Sequence, residues 1–301
     1  MPPVSERRAL PPWLKVSLPT GPVVARLKEA SRSRGLATVC EEARCPNLAE
    51  CWGGGTATFM VMGAECTRGC RFCSVGTAAR PPLPDAEEPA KLALTLKEMS
   101  IDYAVLTTVC RDDLPDQGAA HLAACVREIK NACPRMKLEM LLQDFRGETS
   151  PLERVLDAAP DVVAHNVECV ERLTPSVRDA KAGYRQSLEV LRHAKSYRMK
   201  TPTKTSLMLG LGETEAELLQ TLKDIRSVGV DILTLGQYLR PSGSRHHLPV
   251  DRFVTPEEFD RFGEVARELG FLYVASGPFV RSSYRAAELF LKGHLEKTRA
   301  S

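Results

Sequence analysis

The chain has 301 residues, a length that fits one α/β barrel or two smaller domains. Its 41 basic and 38 acidic residues nearly balance, which argues against a nucleic-acid or membrane surface. Neither a secretory signal nor an apolar run of bilayer length is present, so we expect a cytoplasmic protein whose ten cysteines serve metal binding or catalysis rather than disulfides.

Residues 1–56 are rich in Pro, Gly, Arg and Cys, and one short helix is predicted there, near Val23 to Ser33. From Thr56 onward, apolar β-branched runs alternate with amphipathic helical runs, which predicts a parallel sheet with right-handed crossovers. Seven strands are predicted, at Thr58–Met62, Tyr103–Thr108, Lys137–Leu142, Val162–Asn166, Thr203–Met208, Ile232–Gln237 and Leu272–Ala275.

Capping boxes predict three helix starts, at Ser150, Thr214 and Thr255, each with Glu three residues later. Gly229 predicts the end of the helix that begins after Thr214. The alternation fits a doubly wound sheet or a full or partial β/α barrel. Both architectures place their chemistry at the carboxyl ends of the strands.

Three cysteines follow the first predicted strand in the run C-TRG-C-RF-C, at Cys66, Cys70 and Cys73. Three thiolates are one fewer than a closed tetrahedral site needs, so one coordination position stays open. Thiolates suit zinc or an iron–sulfur cluster. Zinc is the less favoured, because only Cys70 and Cys73 have knuckle spacing and no histidine lies nearby in the sequence.

A second triplet, Cys40, Cys45 and Cys51, has the rarer spacing C-x4-C-x5-C and also offers three thiolates. The other four cysteines stand alone, and we predict that they are small buried hydrophobic residues: Cys110, Cys125, Cys133 and Cys169.

The first triplet, with an aromatic residue before its last cysteine, resembles the signature of radical S-adenosylmethionine (SAM) enzymes. This resemblance implies a 4Fe–4S cluster held by three cysteines, with a fourth iron that chelates the amino and carboxylate groups of SAM. An electron passed into the sulfonium would leave a 5′-deoxyadenosyl radical. Cys66, Cys70 and Cys73 are thus the implied ligands of the catalytic cluster.

The second triplet, within TVCEEARCPNLAECW, resembles the diagnostic stretch of the lipoyl synthase family. The resemblance covers most of the chain, through VCRDDLPD from Val109, HNVE from His165, KTSLMLGLGET from Lys204, LGQYLRP from Leu235 and ASGPFVRSSYRA from Ala275. Two residues depart from the family pattern. Cys110 stands where a polar or acidic residue is usual, and Gln117 where a second glycine is usual, which puts the fine shape of that loop in doubt.

The resemblance implies a partial (β/α) barrel of radical SAM type over residues 57–276. Residues 1–56 would be an N-terminal extension carrying auxiliary-cluster cysteines, and residues 277–301 a C-terminal extension with the RSSY motif. The implied reaction inserts two sulfur atoms at carbons six and eight of a protein-bound octanoyl-lysine. An auxiliary 4Fe–4S cluster on Cys40, Cys45 and Cys51 would donate the sulfur, and an apolar barrel lumen would enclose the acyl chain.

The RSSY motif implies a serine oxygen as the fourth ligand of the auxiliary cluster, with Ser283 favoured over Ser282. An ordinary helix N-cap is the alternative role. Asn166 and Glu168, two apart at a strand end, can face the same side and bind the ribose hydroxyls or amino group of SAM. A structural hydrogen-bonded pair is the alternative. Lys204 is expected to contact the SAM carboxylate or the carrier, with a surface salt bridge as the alternative.

The acidic loop of Asp112, Asp113 and Asp116 is predicted to be a solvated turn with capping carboxylates, and binding of SAM or a substrate lysine is the alternative. The implied protein substrate is an octanoylated lipoyl carrier domain or the glycine-cleavage H protein. A ferredoxin or flavodoxin is the expected reductant, and an iron–sulfur carrier would rebuild the auxiliary cluster.

Two other readings stay open. One is another sulfur-inserting radical SAM enzyme, either biotin-synthase-like or methylthiolating, which the second triplet argues against. The other is a zinc-binding interaction or nucleic-acid module, which the charge balance and the long β/α array argue against.

Overall fold

A computed structural model describes residues 10–14, 34–38, 56–99 and 101–283. The strands are β1 (Ala37–Thr38), β2 (Thr56–Val61), β3 (Glu65–Cys66), β4 (Gly76–Thr77), β5 (Tyr103–Thr108), β6 (Lys137–Leu141), β7 (Val162–Ala164), β8 (Thr203–Leu209), β9 (Ile232–Gln237) and β10 (Tyr273–Gly277). The α-helices are α1 (Glu88–Met99), α2 (Ala119–Ala132), α3 (Thr149–Asp157), α4 (Thr174–Val177), α5 (Tyr184–Tyr197), α6 (Glu215–Ser227) and α7 (Pro256–Glu268). The helix predicted near Val23 to Ser33 lies outside the described residues.

The main sheet has eight strands in the order β1-β2-β5-β6-β7-β8-β9-β10. Every pair from β2 to β10 is parallel, and β1 pairs antiparallel with β2 at one edge. Since β1 and β10 are the two outer strands, the described sheet is open, as a partial barrel is. A separate parallel pair, β3 with β4, lies beside it. In the part of the chain that the structure covers, we find no helix that could cross a membrane.

Side chains alternate between the helices and the barrel interior. Residues such as Leu106, Leu138 and Met140 pack against α1, α2 and α3 in one large apolar core, while a second core surrounds α6 and α7. Tyr103, Val105, Val162 and Ile232 form a separate buried cluster from the intervening strand positions. This period-two division explains why the strands read as nearly continuous apolar runs.

All seven predicted strands are present, and their ends agree with the prediction to within two residues. Two carboxyl ends differ by two residues: β10 runs on to Gly277 instead of Ala275, and β7 stops at Ala164 instead of Asn166. The N–H of Val167 donates to the Thr205 hydroxyl (3.1 Å) rather than to a carbonyl of β8, so the ladder is interrupted there. Pairing resumes at Glu168, whose N–H donates to the Ser206 carbonyl.

Two of the three predicted capping boxes are confirmed. The Thr214 hydroxyl accepts from the Glu217 N–H, and the Thr255 hydroxyl accepts from the Glu258 N–H. The box at Ser150 is wrong, because the preceding 3₁₀ turn delivers the chain one residue early and α3 begins at Thr149. The stop after α6 is confirmed: Gly229 has a φ of 84°, and its N–H donates to the Arg226 carbonyl.

The amino end of the barrel interior holds a buried ion pair. The expectation of an apolar lumen is therefore wrong at this end. The Lys204 ammonium lies 2.9 Å from the Glu139 carboxylate, and the Tyr103 hydroxyl donates to the same oxygen at 2.8 Å. Lys204 is in register with Ile232, the first residue of β9. It therefore lies at the strand end opposite to the cysteine run, in a salt bridge that is buried rather than at the surface as the alternative had it.

We predict that Lys204→Met lowers the free energy of unfolding by about 3–5 kcal/mol, because it leaves the Glu139 carboxylate buried without its partner. The double variant Glu139→Gln, Lys204→Met is the matched control. It removes both charges and keeps an acceptor for Tyr103, so most of the loss should return. Urea unfolding of the anaerobic proteins measures both, and a Lys204→Met variant as stable as the original chain would contradict the account.

Candidate metal and cofactor site

The cysteine run lies at the carboxyl end of β2, where two residues with positive φ turn the chain. Met62 has a φ of 70° and Gly63 a φ of 88°. The run then closes on itself, because the Ala78 N–H donates to the Cys66 carbonyl and the Cys73 N–H donates to the Cys70 carbonyl. All three thiols are free and half-buried. The loop thus presents three sulfur atoms at the edge of the sheet where parallel β/α proteins place their chemistry.

Each sulfur atom accepts a hydrogen bond from backbone N–H groups. Cys66 Sγ accepts from the N–H of Arg68 (3.4 Å) and of Cys110 (3.3 Å), and Cys70 Sγ accepts from the N–H of Asp179 (3.4 Å). Cys73 accepts from the backbone of Val75. Such bonds stabilise thiolates and are a known means of tuning iron–sulfur clusters. The donor set therefore fits thiolate ligation.

The three thiols differ in acidity before any metal binds. A hydrogen bond from the Cys110 side chain is the largest cause that lowers the pKa of Cys66 to about 6, and the backbone donors add to it. Burial raises the pKa of Cys70 and of Cys73 to about 11. Metal binding would therefore release protons from Cys70 and Cys73 more than from Cys66.

The spread of the sulfur atoms argues against a single zinc ion. A tetrahedral zinc with Zn–S bonds of about 2.3 Å would hold its sulfur atoms about 3.8 Å apart. Among the described residues, three metal-ligating atoms come within 4.8 Å of one another at one place, and that place is not the cysteine run.

A buried arginine within the cysteine run forms ion pairs with two neighbouring loops. Arg68 makes two bonds to the Asp112 carboxylate, at 2.8 and 3.0 Å, and one to Asp144 at 2.7 Å. All three side chains are under 5% exposed. Burial raises the pKa of Asp112, but hydrogen bonds from Arg68 and Thr67 outweigh burial and lower it to about 2. The run is therefore tied to the loops after β5 and β6.

The acidic loop is only in part the solvated turn that the sequence predicted, because Asp112 is buried in its pair with Arg68 whereas Asp113 is exposed. Asp113 forms a two-pronged pair with Arg111, at 2.8 Å for each bond, and the Arg111 side chain is fully buried. The capping expectation is confirmed for Asp116, which accepts from the N–H groups of Gly118 and Ala120 at the start of α2. The loop serves as structural support for the cysteines.

The structure shows the contacts of the two residues that depart from the family pattern, Cys110 and Gln117. Cys110 is only half-buried, and its thiol contacts Cys66. Gln117 takes a left-handed φ of 53°, and its side-chain amide donates to the Phe145 carbonyl at 3.1 Å. Of the other lone cysteines, Cys125 and Cys169 are buried as predicted, whereas Cys133 is half-buried.

Asn166 and Glu168 lie together just beyond β7, at the same edge as the cysteine run. They share a side-chain hydrogen bond, and burial raises the pKa of Glu168. Glu168 has a φ of 73°, a strained conformation for a residue other than glycine. The Asn166 Oδ1 atom is buried and has no partner among the described groups. A buried acceptor without a donor fits a ligand hydroxyl or ammonium group.

A hydrogen-bonded chain fixes the segment that carries these two residues. His165 Nδ1 lies 2.9 Å from the Leu142 carbonyl and must donate to it, so Nε2 accepts from the Ser187 hydroxyl at 2.8 Å. Ser187 in turn accepts from Arg178 at 2.8 Å. The residue after Arg178 is Asp179, whose carboxylate accepts from the Gly69 N–H at 2.9 Å. The segment and the cysteine run therefore share one support.

Sequence reasoning missed the loop that covers the cysteine run. His247 Nε2 lies 2.9 Å from the Cys73 carbonyl, and the Arg71 guanidinium donates to the His246 carbonyl at 3.1 Å. The Leu248 N–H donates to the Arg71 carbonyl. The pair His246-His247 could have been singled out as unusual, but nothing local shows which residue 174 positions away it contacts.

The C-terminal segment crosses the carboxyl end of β9. A side chain at Gly236 would place its Cβ 2.1 Å from the Val280 carbonyl oxygen, so only glycine permits this approach. Ser282 and Ser283 follow directly and are half-buried. Cys40, Cys45 and Cys51 lie outside the described residues.

We predict a pH dependence of stability that depends on His165. Burial, and secondarily the charge of Arg178, lowers the pKa of His165 from 6.5 to about 4. Since the unfolded chain binds the proton more readily, stability is complete above pH 6.5 and falls between 6.5 and 4, by about 2 kcal/mol at pH 5. A His165→Gln variant keeps one donor and one acceptor, so its free energy of unfolding should fall less steeply between pH 7 and 5. Urea unfolding measures both proteins, and equal slopes for the variant and the original chain would contradict the prediction.

Two family models match the chain. The radical SAM superfamily matches residues 60–225, and the N-terminal domain of lipoyl synthase of the radical SAM family matches residues 3–45. The solved structures of the FeFe-hydrogenase maturase HydG from Carboxydothermus hydrogenoformans and of coproporphyrinogen III oxidase (HemN) from Escherichia coli share the fold. The first has 13% identity and a TM-score of 0.54, covering 90% of this chain and 77% of that one. The second has 12% identity and a TM-score of 0.53, covering 85% and 58%.

The expected partial barrel of radical SAM type is therefore confirmed. Relatives that match nearly the whole chain identify the family within this superfamily. A lipoyl synthase of Myxococcus xanthus (strain DK1622) is 57% identical over 296 residues, which covers 98% of both chains. A mitochondrial lipoyl synthase of Aedes aegypti is 54% identical over 297 residues, covering 97% of this chain and 75% of its own. At this identity and coverage, the chain belongs to the lipoyl synthase family of radical SAM enzymes.

Proposed function

We propose that this chain inserts two sulfur atoms, at carbons six and eight, into an octanoyl group that is amide-linked to a lysine of a carrier protein. Membership of the family supports the reaction. The observation that carries the proposal is the run of three cysteine sulfurs, each with a backbone donor, at the carboxyl edge of a partial barrel. Unactivated carbon atoms need radical chemistry, which no acid or base in the site could replace.

Cys66, Cys70 and Cys73 would hold a 4Fe–4S cluster that, when bound, supplies the electron for reductive cleavage of SAM. The protein's own part is to hold the sulfurs with backbone N–H groups and to keep the loop fixed through Arg68. Asn166 and Glu168 would receive the ribose hydroxyls or the amino group of SAM, because they offer acceptors at the same edge. Lys204 takes no part, since its charge is paired with Glu139 at the opposite end.

A second cluster, on Cys40, Cys45, Cys51 and Ser283, would supply the inserted sulfur. Residues 1–56 and 277–301 would thus flank the barrel over 57–276 and contribute its ligands. The close approach of Val280 to Gly236 supports this, because it directs the chain toward Ser283 over the carboxyl end of β9. An alkoxide is a harder and less well matched ligand for iron than a thiolate, so this site would release iron more readily.

The octanoyl-lysine would arrive on a lipoyl carrier domain or on the glycine-cleavage H protein, in a transient contact at the open end of the barrel. A ferredoxin or flavodoxin would deliver electrons, and an iron–sulfur carrier would restore the consumed cluster. A reducing compartment, which we take to be the cytoplasm, would keep the seven proposed cluster and neighbouring thiols available (Cys40, Cys45, Cys51, Cys66, Cys70, Cys73 and Cys110).

We predict that replacing Cys40, Cys45 and Cys51 together with alanine stops sulfur insertion but leaves SAM cleavage. The reason is that the proposed radical-generating cysteines stay in place. The measurement is anaerobic incubation of an octanoyl-lysine peptide with SAM and reductant, followed by mass spectrometry for lipoyl product and 5′-deoxyadenosine.

The matched control replaces Cys66, Cys70 and Cys73, which should abolish both products. Lipoyl product from the first triple variant would overturn the sulfur-donor assignment. Loss of 5′-deoxyadenosine from that variant, with a preserved circular dichroism spectrum, would overturn the division of labour between the two triplets.

We also predict that Ser283→Ala lowers the iron and sulfide content of the anaerobic protein, because it removes one ligand of the proposed auxiliary cluster. Ser282→Ala is the control, since it alters the neighbouring hydroxyl and should leave the metal content unchanged. Iron and sulfide assays per chain decide between them. A lower content in Ser282→Ala alone would move the ligand to Ser282.

A further inference from the structure

Three side chains with metal-ligating atoms gather between α1 and α2, away from the cysteine run. Glu88 is the first residue of α1, and His121 and Cys125 lie one turn apart on the same face of α2. Glu88 Oε2 and His121 Nε2 are 2.6 Å apart. The Cys125 sulfur joins them so that all three atoms lie within 4.8 Å of one another. A carboxylate, an imidazole and a thiol therefore converge on one point.

A hydrogen-bonded pair explains only part of this arrangement. Glu88 also accepts from the Met62 N–H at 2.9 Å, so the carboxylate ties α1 to the end of β2. Neither bond involves the thiol, which is fully buried and still faces the same point. The side chains of His121 and Glu88 are 14% and 11% exposed, so the group is shielded but not sealed.

The Glu88 end of the group borders a cavity, whereas His121 and Cys125 do not line it. Glu88 lines a cavity of about 290 Å³ together with Met62, Gly63, Pro82 and Asp85. A cavity of this size has room for several water molecules, so a water could complete the coordination of an ion at the three side chains. An entry path, here on the Glu88 side, is one of the features that a metal site requires.

We infer that Glu88, His121 and Cys125 form a binding site for one divalent transition-metal ion, with zinc as the best-matched chemistry. Zinc accepts oxygen, nitrogen and sulfur ligands at about 2.0–2.3 Å, and three protein ligands plus water is a common set. Around such an ion the ligand atoms lie about 3.3–3.8 Å apart. The 2.6 Å contact between Glu88 Oε2 and His121 Nε2 is shorter than that spacing, so these two side chains must separate by roughly 1 Å to admit the ion.

The thiol explains how binding would depend on pH. Burial raises the pKa of Cys125 well above its usual range, with the nearby Glu88 charge acting in the same direction. The ion would have to displace this proton, so binding should weaken as the pH falls. Bound metal would lock α1 and α2 to the turn at Met62, which leads directly into the cysteine run.

The test uses the anaerobic protein with its iron–sulfur clusters loaded, so that the other cysteines are occupied. Dialysis against zinc and a competing chelator, followed by elemental analysis, should give one zinc per chain with unchanged iron. His121→Gln and Cys125→Ala should each lower zinc affinity by more than the roughly 10- to 100-fold that loss of an outer-shell partner costs. Cys133→Ala, at the end of the same helix, is the matched control and should bind zinc normally.

Binding that is unchanged in His121→Gln and Cys125→Ala would overturn the proposal, as would no zinc in the original chain. X-ray absorption at the zinc edge gives a readout that needs no variant. One sulfur with nitrogen and oxygen neighbours supports the site, whereas three or four sulfurs would place the zinc on the other cysteines and sink it. Because zinc content, not lipoyl product, is measured, failure here leaves the proposed function untouched.

Discussion

The ion pairs of Arg68 with Asp112 and Asp144 are the constraint on which the cysteine run depends. Arg68 lies between Cys66 and Cys70, so whatever holds its guanidinium also holds the backbone between two proposed ligands. Removing three charged groups from water is costly, and such networks seldom add net stability. Here the ion pairs fix the positions of the loops that they join. One side chain joins the loops after β2, β5 and β6, which no apolar residue could do with equal directionality.

The opposite side of the run is held by bonds of another kind. Asp179 contacts both the Gly69 N–H, through its carboxylate, and the Cys70 sulfur, through its own N–H. His247 meets the Cys73 carbonyl. Each proposed ligand is therefore anchored by a different strand-end loop of the barrel. A displacement of any one loop would move one sulfur relative to the other two, which is a stringent condition for a site that must present three ligands to a single cluster.

The elements of the fold could be predicted because their signals are local. The runs at Tyr103–Thr108 and Ile232–Gln237 are mostly buried and apolar, and their ends agree with the structure residue by residue. The caps at Thr214 and Thr255 also depend on four-residue patterns. Ser150 is the exception. It has the same capping-box pattern, but the preceding turn makes the helix begin at Thr149, so Ser150 does not cap it.

What could not be predicted depends on which residues the sheet brings together. Lys204 was expected to contact the cofactor. Instead it pairs with Glu139, which lies 65 positions earlier in the chain and two strands away in the sheet. Arg68 with Asp144, and Cys73 with His247, are separated by 76 and 174 positions. Strand register determines such partners, and single-sequence patterns do not carry register between distant strands. The three cysteines of each triplet, by contrast, lie within a dozen residues, so their spacing is a local signal.

The barrel interior divides its charges between its two ends, and this division bears on what the carboxyl end can bind. At the amino end, Lys204 and Glu139 neutralise each other. At the carboxyl end, Glu168 forms no ion pair within the described chain, and the buried Asn166 oxygen beside it accepts nothing. Glu168 also has a strained, positive φ at this end. An end with surplus acceptors favours a ligand that brings hydroxyl and ammonium donors, so the strain and the missing partner are explained together if such a ligand completes the site.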